Sequence, residues 1–367
     1  MRRRIHFLLV GLLALLLAHC RPARPAASSA LPPPRAVVVW ISIDGFRPDY
    51  VDRASTPLLH QFMREGAFSR QLVTITPSLT FPSHVSEATG VPADRHGIPA
   101  NDFYDSATRQ IDRFPADASM LQSEPIWLTA RRQGVRTLVF DWPFAQAEGG
   151  PLRADYFLPA FDDKLTDNQR LARILDTWRD DRGDRPLQLL MGYVKETDVV
   201  GHRAGPGSME VAHAAERTDA RLRAFVDQAV DIFKQKMSPQ DQLYILLTTD
   251  HGMAPVRTLV NIEKLFATPP PRAVVRVTSG PLGMIYLDQT PEAGRAALEQ
   301  ALLADLRRHE FLSVWRRQDL PPQWHFAHPT RVGDLVVMLH PGYSFSNRLP
   351  LPTFPVERVG SPLGMHG

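Results

Sequence analysis

The sequence has almost no cysteine: Cys20 stands alone among 367 residues. Disulfides within the chain, cysteine-type zinc fingers and a cysteine nucleophile inside the folded part are therefore excluded. Acidic residues are missing from the first 35 positions, which hold Arg2, Arg3, Arg4, Arg21, Arg24 and Arg35. The whole chain carries +3, so these six cations leave residues 36–367 with a net charge of −3. A mildly acidic folded part lacks the clustered Lys and Arg that duplex nucleic acid requires. No internal repeat is apparent, and there is no low-complexity bulk. With 44% hydrophobic and 22% charged residues, the chain is globular in composition, and its length suits one large domain or two modest ones.

The apolar run Phe7 to Ala18 follows the basic stretch Met1-Arg-Arg-Arg-Ile-His6. It is too short for a bilayer span of about 20 residues and has the layout of an export signal. It ends in Leu17-Ala18-His19-Cys20, similar to a bacterial lipoprotein cleavage box with Cys20 as the lipidated residue, although His19 replaces the usual small residue. An ordinary signal peptide cut among Ala27 to Ala30 is the alternative. Residues 1–20 are thus expected as a signal peptide and residues 21–35 as a Pro/Ala-rich linker lifting a domain off a membrane surface. The expected location is the periplasm, with the outer membrane as the anchoring surface if Cys20 is lipidated. The sequence leaves the oligomeric state open.

Ala36 to Ile43, Leu187 to Val194 and Leu243 to Leu247 are near-continuous apolar runs, as parallel strands buried on both faces require. Amphipathic stretches at Pro57–Glu65, Pro125–Gln133, Asp167–Arg179 and Val211–Lys234 alternate with them. This alternation predicts an α/β fold: a mostly parallel sheet sandwiched by helices. Residues from about 258 to 340 read as a small inserted α+β lobe. Its strands are expected at Val274–Thr278, Met284–Leu287, Leu312–Trp315 and Asp334–Leu339, with a helix over Pro291–Arg308.

Each apolar run ends beside acidic or imidazole groups: Asp44 after the first, Asp198 and His202 after the second, Asp250 and His251 after the third. Ligand sites in open α/β sheets form at such carboxyl ends, so these groups are candidates to converge on a metal. Gly201, Gly205 and Pro206 favour a tight loop for Asp198-x-x-x-His202. His366 is a further candidate, placed so near the end of the chain that loose holding is expected. Thr80, in Thr80-Phe-Pro-Ser-His84, lies at or just before a helix N-terminus, where free N–H groups favour a phosphate. It is either a nucleophile, which requires a base or metal to activate it, or a helix cap. Asn101 is placed to donate to a developing phosphoryl oxygen or to cap a turn.

Ile43-Asp44-Gly45-Phe46-Arg47, Thr80-Phe-Pro-Ser-His84 with Thr89-Gly90, and His96-Gly97 to Tyr104 together resemble the nucleotide pyrophosphatase/phosphodiesterase family of the alkaline phosphatase superfamily. Tyr193 to Pro206, Thr249-Asp250-His251-Gly252-Met253 and His366-Gly367 continue the match in order, making residues 36–367 the catalytic domain. The resemblance implies two Zn²⁺. One would be held by Asp44, Thr80, Asp250 and His251, the other by Asp198, His202 and His366. It implies Thr80 as nucleophile, Asn101 on a non-bridging phosphoryl oxygen, and Phe81 and Tyr193 flanking a nucleotide base. The implied activity is hydrolysis of phosphodiester or pyrophosphate bonds, of nucleotides above all, through a covalent threonine intermediate.

Asp141-Trp-Pro-Phe144 departs from the family's usual Trp-Pro-Gly, and family members normally continue beyond the last histidine with a strand and helix. Phosphonoacetate hydrolase and phosphate monoesterase are the enzyme alternatives within the superfamily. A surface-binding lipoprotein without catalysis is the alternative of another class. Arylsulfatases need a Cys or Ser in Cys/Ser-x-Pro-x-Arg within the folded part, and are excluded because the only cysteine, Cys20, lies in the leader and Ser83-His84 does not fit the motif.

Overall fold

Strand β1 (Ala36–Ile43) is apolar at nearly every position because both of its faces are covered. Val37, Val39, Ile41 and Ile43 enter one hydrophobic core, whereas Val38 and Trp40 pack against another. The computed structural model describes residues 34–159, 164–346, 351 and 353–367. The expected signal peptide and the linker up to residue 33 lie outside the described residues. Residues Arg35–Gly367 form one unit, and none of its described helices is long and apolar enough to cross a membrane.

After β1 come helices α1 (Tyr50–Arg53), α2 (Pro57–Glu65), α3 (Thr80–Thr89) and α4 (Ala93–His96), then a hairpin of β2 (Asp102–Asp105) and β3 (Gln110–Arg113). Helix α5 (Ile126–Arg132) leads into β4 (Arg136–Phe140) and β5 (Tyr156–Leu158). Then α6 (Asp167–Asp180), β6 (Leu187–Val194), α7 (Glu196–Ala204), α8 (Met209–Lys236) and β7 (Gln242–Thr248) complete the main layers. The central sheet has the order β5-β4-β6-β1-β7 and every neighbouring pair is parallel. Helices α6 and α8 cover one face through Ile174, Trp178, Leu222 and Phe225. Helices α3 and α5 cover the other through Phe81, Val85, Trp127 and Leu128. The mixed α/β fold with a parallel sheet between helices is the expected class, because alternate residues of each strand are apolar on both faces.

Beyond β7, strand β8 (Ala254–Val260) precedes an antiparallel sheet of β9 (Val275–Ser279), β10 (Leu282–Tyr286), β11 (Leu312–Arg316) and β12 (Leu335–Leu339), in the order β11-β12-β10-β9. Helix α9 (Glu292–Leu306) packs on it through Leu302, Leu303 and Leu306 around a third core. Strand β8 itself lies between β13 (Tyr343–Phe345) and β14 (Val356–Met365). Strands β8 and β14 fall outside the sequence expectation because most of their residues are exposed or half-buried, so no apolar run marks them. They matter, since β14 brings the chain back to the central sheet.

His96, the last residue of α4, is fully buried. Its Nδ1 accepts from the Ile98 N–H at 3.1 Å, so Nε2 carries the proton and donates to Ser86 Oγ at 2.9 Å. Burial pushes its pKa from the ordinary 6.5 down to about 3. The folded imidazole therefore stays neutral where the unfolded one charges, and its stabilising contribution, present above pH 6.5, is lost as pH falls toward 3. Tm is expected to fall between pH 6.5 and pH 4, and His96→Gln to flatten part of that slope in a calorimetric series. Equal slopes in both proteins would assign the acid sensitivity to other groups.

Candidate active site and metal centre

Asp44 leaves the end of β1, and Asp250 and His251 follow β7 within three residues. Asp250 Oδ1 accepts the Gly45 N–H at 3.2 Å and the His251 N–H at 3.0 Å, tying the two strand ends together. Gly45 has φ of +64°, and a Cβ there would stand 3.1 Å from Cα of Asp198. Only glycine meets both conditions comfortably. Asp198 and His202 lie one turn apart on α7, not in the tight loop expected from the neighbouring glycines. Gly201 is small for packing instead: its Cβ would fall on the Met253 sulfur, and Gly205, with φ of +81°, ends the helix. His366 is the first residue after β14.

These six side chains form two groups of three. Asp44, Asp250 and His251 make one and Asp198, His202 and His366 the other, with the ligand atoms of each group within 4.8 Å of one another. Every histidine is oriented from its far side. Nδ1 donates to a backbone carbonyl: Gly252 at 2.9 Å for His251, Gly364 at 2.8 Å for His202 and Ser78 at 3.0 Å for His366. A carbonyl only accepts, so Nδ1 holds a proton, and in its neutral form each ring turns the lone pair of Nε2 toward its triad. His202 Nε2 and His366 Nε2 face each other at 3.2 Å. His366, expected to be loosely held, is buried and stacks on His251 with ring centroids 3.4 Å apart.

The carboxylates contribute acceptors too. Asp44 Oδ1, Asp198 Oδ1 and Asp250 Oδ2 are buried without a hydrogen-bond partner. Burial, reinforced by the charges of Asp198 and Asp250, raises Asp44 well above the ordinary carboxylate range. Burial pushes Asp250 and Asp198 the same way, but the adjacent imidazoles outweigh it and hold both low. It also lowers all three histidines in tendency. Asp250 overcomes this for His251 and Asp198 for His202, while His366 stays depressed at about 3. A buried set of acceptors this dense requires positive charge among them. The donor set of imidazole nitrogens and carboxylate oxygens fits divalent cations of the zinc type.

Thr80 is the first residue of α3, and its Oγ lies 3.1 Å from His251 Nε2. Asn101 accepts the Phe81 N–H at 2.9 Å through Oδ1, which keeps its amide N–H donors for the cavity that both residues line. That cavity, about 570 Å³, is also lined by Asp44, Phe144, Tyr193, Lys195 and Phe114. Phe81 borders it, but its ring is only 2% exposed and lies edge-on beneath Phe114 at 5.5 Å. Tyr193 differs from the expected base clamp. Its hydroxyl donates to Asp44 Oδ2, His84 packs edge-on at 5.4 Å, and the Arg170 guanidinium covers its ring at 5.6 Å. With its ring so occupied, Tyr193 orients Asp44 and has no face to offer a base.

The aromatic that does stand open at the mouth is Phe114, 51% exposed with φ of +43°. Sequence reasoning missed Phe114 because it belongs to no motif, and passed over Lys195 although it lies within the Tyr193 to Pro206 motif. Phe144 takes the place of the usual glycine at φ of +61°, a conformation glycine adopts freely, and its ring packs 6.1 Å from Phe81.

Comparison with known proteins agrees with this geometry. The family model for type I phosphodiesterase / nucleotide pyrophosphatase matches residues 38–367. An uncharacterised pyrophosphatase/phosphodiesterase of Schizosaccharomyces pombe is 30% identical over 91% of this chain and 68% of its own length. The bis(5'-adenosyl)-triphosphatase enpp4 of Xenopus laevis is 27% identical over 88% of this chain and 68% of its own. Among solved structures, murine ectonucleotide pyrophosphatase/phosphodiesterase 5, an inactive threonine-to-alanine variant in complex with AMP, superposes with a TM-score of 0.74 at 23% identity. It covers 90% of this chain and 87% of its own. The chain thus spans about two thirds of the two curated relatives and nearly all of the solved one. The ordered motifs, the parallel sheet and the paired triads meet in one conclusion: this chain belongs to the type I phosphodiesterase / nucleotide pyrophosphatase family of hydrolases.

Proposed function

We propose that the protein is an exported, two-zinc hydrolase that cleaves phosphodiester or pyrophosphate bonds of nucleotides through a covalent intermediate on Thr80. The carrying observation is the set of six side chains that turn only acceptor atoms into two triads, with the Thr80 hydroxyl beside one of them. Asp44, Thr80, Asp250 and His251 would hold one ion, and Asp198, His202 and His366 the other. Three imidazoles and no thiolate suit zinc better than magnesium. When bound, zinc supplies the positive charge that lowers the hydroxyl pKa of Thr80 and neutralises charge on the reacting phosphoryl group.

Thr80 Oγ attacks phosphorus, the bond from phosphorus to the leaving oxygen breaks, the proton given up by the hydroxyl ends on the departing oxygen, and a nucleotidyl ester of Thr80 forms. Water then attacks the same phosphorus from the vacated side, and the Thr80 Oγ–P bond breaks with return of a proton to the hydroxyl. Two inversions give overall retention. Asn101 donates to a non-bridging oxygen through both steps, and the N-terminal amides of α3 favour the anion. Phe114, backed by the buried Phe81 and Phe144, offers the nucleoside half an aromatic ring, and Lys195 offers a cation. The AMP bound by the murine relative, inactive with alanine in place of a threonine, supports the nucleotide and the nucleophile assignment. Export on a Cys20 lipid anchor belongs to the same proposal and rests on the leader sequence.

Thr80→Ala is expected to cut kcat by at least about 1,000-fold while two metals per chain remain bound, read by activity alongside elemental analysis. Metal lost in step with activity would make Thr80 structural. Asp44→Asn removes one of three crowded carboxylate charges and keeps an acceptor for Tyr193. It is expected to raise Tm of the chelator-treated protein by a few degrees and to diminish the further rise on adding zinc. A lowered Tm in both conditions would show that the crowded charge is no burden to the metal-free fold.

A further inference from the structure

Near the start of α6, Arg170 is buried together with its acid: Nη1 stands 2.6 Å from Asp141 Oδ1, and the two side chains are 0% and 3% exposed. Taking two charges out of water costs about as much as their attraction returns, so such a pair adds little stability over an apolar one. Asp141 also holds φ of +62°, which is unfavourable for any residue with a Cβ. Two such costs at one place beside a candidate active site point to a role other than stability.

The pair is one contact away from the first triad. The Arg170 guanidinium carbon lies 5.6 Å from the centre of the Tyr193 ring. The Tyr193 hydroxyl donates to Asp44 Oδ2, and Asp44 Oδ1 is left without a hydrogen-bond partner, 3.3 Å from His251 Nε2. A cation held over an aromatic face draws on the electrons of the ring, and a phenol so polarised is the stronger donor. The same part of α6 grips the backbone that follows Tyr193. Asp167 accepts the Lys195 and Glu196 N–H groups at 3.1 Å each, and the Thr197 hydroxyl donates to the Asp44 carbonyl. The histidines of the second triad are oriented from elsewhere, His202 by the Gly364 carbonyl and His366 by that of Ser78.

We infer that the Asp141–Arg170 pair is a positioning device: it fixes the Tyr193 ring so that the hydroxyl holds Asp44 Oδ2 and presents Oδ1 to the ion of the first triad. Arg170 and Asp141 are positioning residues that act through Tyr193 on one metal site and not on the other. This inference rests on the two-metal reading of the site and deepens it.

Zinc dissociation constants of the full chain, measured by competition with a chromophoric chelator, separate this role from simple packing. Arg170→Met combined with Asp141→Asn removes both charges and leaves neither buried alone, and asparagine tolerates the positive φ. One of the two constants is expected to rise at least about tenfold while the other stays within about twofold. The same rise is expected in the His202→Ala background, which keeps the first triad intact. Tyr193→Phe is expected to raise the same constant, and the charge substitutions to add nothing once that hydroxyl is gone. Both constants moving together, neither moving, or an equal effect of the charge substitutions with and without the Tyr193 hydroxyl would overturn the inference. If the double variant does not fold, Arg170→Lys keeps the charge and loses the planar cover of the ring. It is expected to raise the same constant several-fold, and unchanged constants contradict the inference. Failure of the unaltered protein to bind two zinc ions would overturn the two-metal reading itself. The near-UV band of Tyr193 in metal-free protein, isolated as the difference between each protein and its Tyr193→Phe counterpart, decides the inference in that event. A shift to shorter wavelength in the double variant, or in Arg170→Lys, as the hydroxyl loosens from the carboxylate, upholds it; an unmoved band contradicts it.

Discussion

Six side chains gathered into two triads, four of them buried and Asp198 and His202 half-buried, turn hydrogen-bond acceptors to one space and are the constraint around which this molecule is arranged. Asp44, Asp198 and Asp250 each leave a carboxylate oxygen without a hydrogen-bond partner, and His202, His251 and His366, each bound through Nδ1 to a carbonyl, turn Nε2 to the same space. In water such groups would be solvated, and inside a protein each unpartnered one costs on the order of 1–3 kcal/mol. Their convergence from four separate parts of the chain is favourable only with compensating positive charge. That requirement explains why the most tightly specified loops of the fold are those at the ends of β1, β6, β7 and β14.

The surrounding groups fix direction more than they add stability. Three backbone carbonyls hold the three imidazoles in one tautomer, and Tyr193 holds Asp44 from behind. His84 links Thr80 O at 2.8 Å to Ser42 Oγ at 2.9 Å and stands 3.4 Å from Asp250. The start of α3 is thereby locked to the first triad. The same helix begins with the hydroxyl that must meet phosphorus, so the orientation of ligands and nucleophile is a single problem solved by one network.

Much of this was legible in the chain because burial on both faces leaves an unmistakable run of apolar residues. The runs over β1, β6 and β7 located the sheet, and the acidic groups at their ends located the candidate ligands that the structure brings together. What escaped reading is informative. Gly201 and Gly205 looked like loop formers, yet one is small to admit Met253 and the other terminates α7; a composition cue does not separate packing from flexibility. Tyr193 looked like a base clamp, but pattern alone does not say which way a ring faces or that Arg170 covers it. Strands β8 and β14, exposed along most of their length, carried no periodic signal, so the firm seat of His366 was invisible. Phe114 stands at a strand end with no motif around it, and only the fold reveals that it overhangs the cavity that Thr80 lines.

The most direct test of the account is the metal content of the full chain after chelator stripping, reloading with excess zinc and removal of unbound metal, measured by elemental mass spectrometry. Two zinc ions per chain, falling to one in His202→Ala, are predicted because the triads bind separately. A content of one or none in the unaltered protein, or loss of both ions in the variant, would contradict the two-site arrangement on which the proposed chemistry stands.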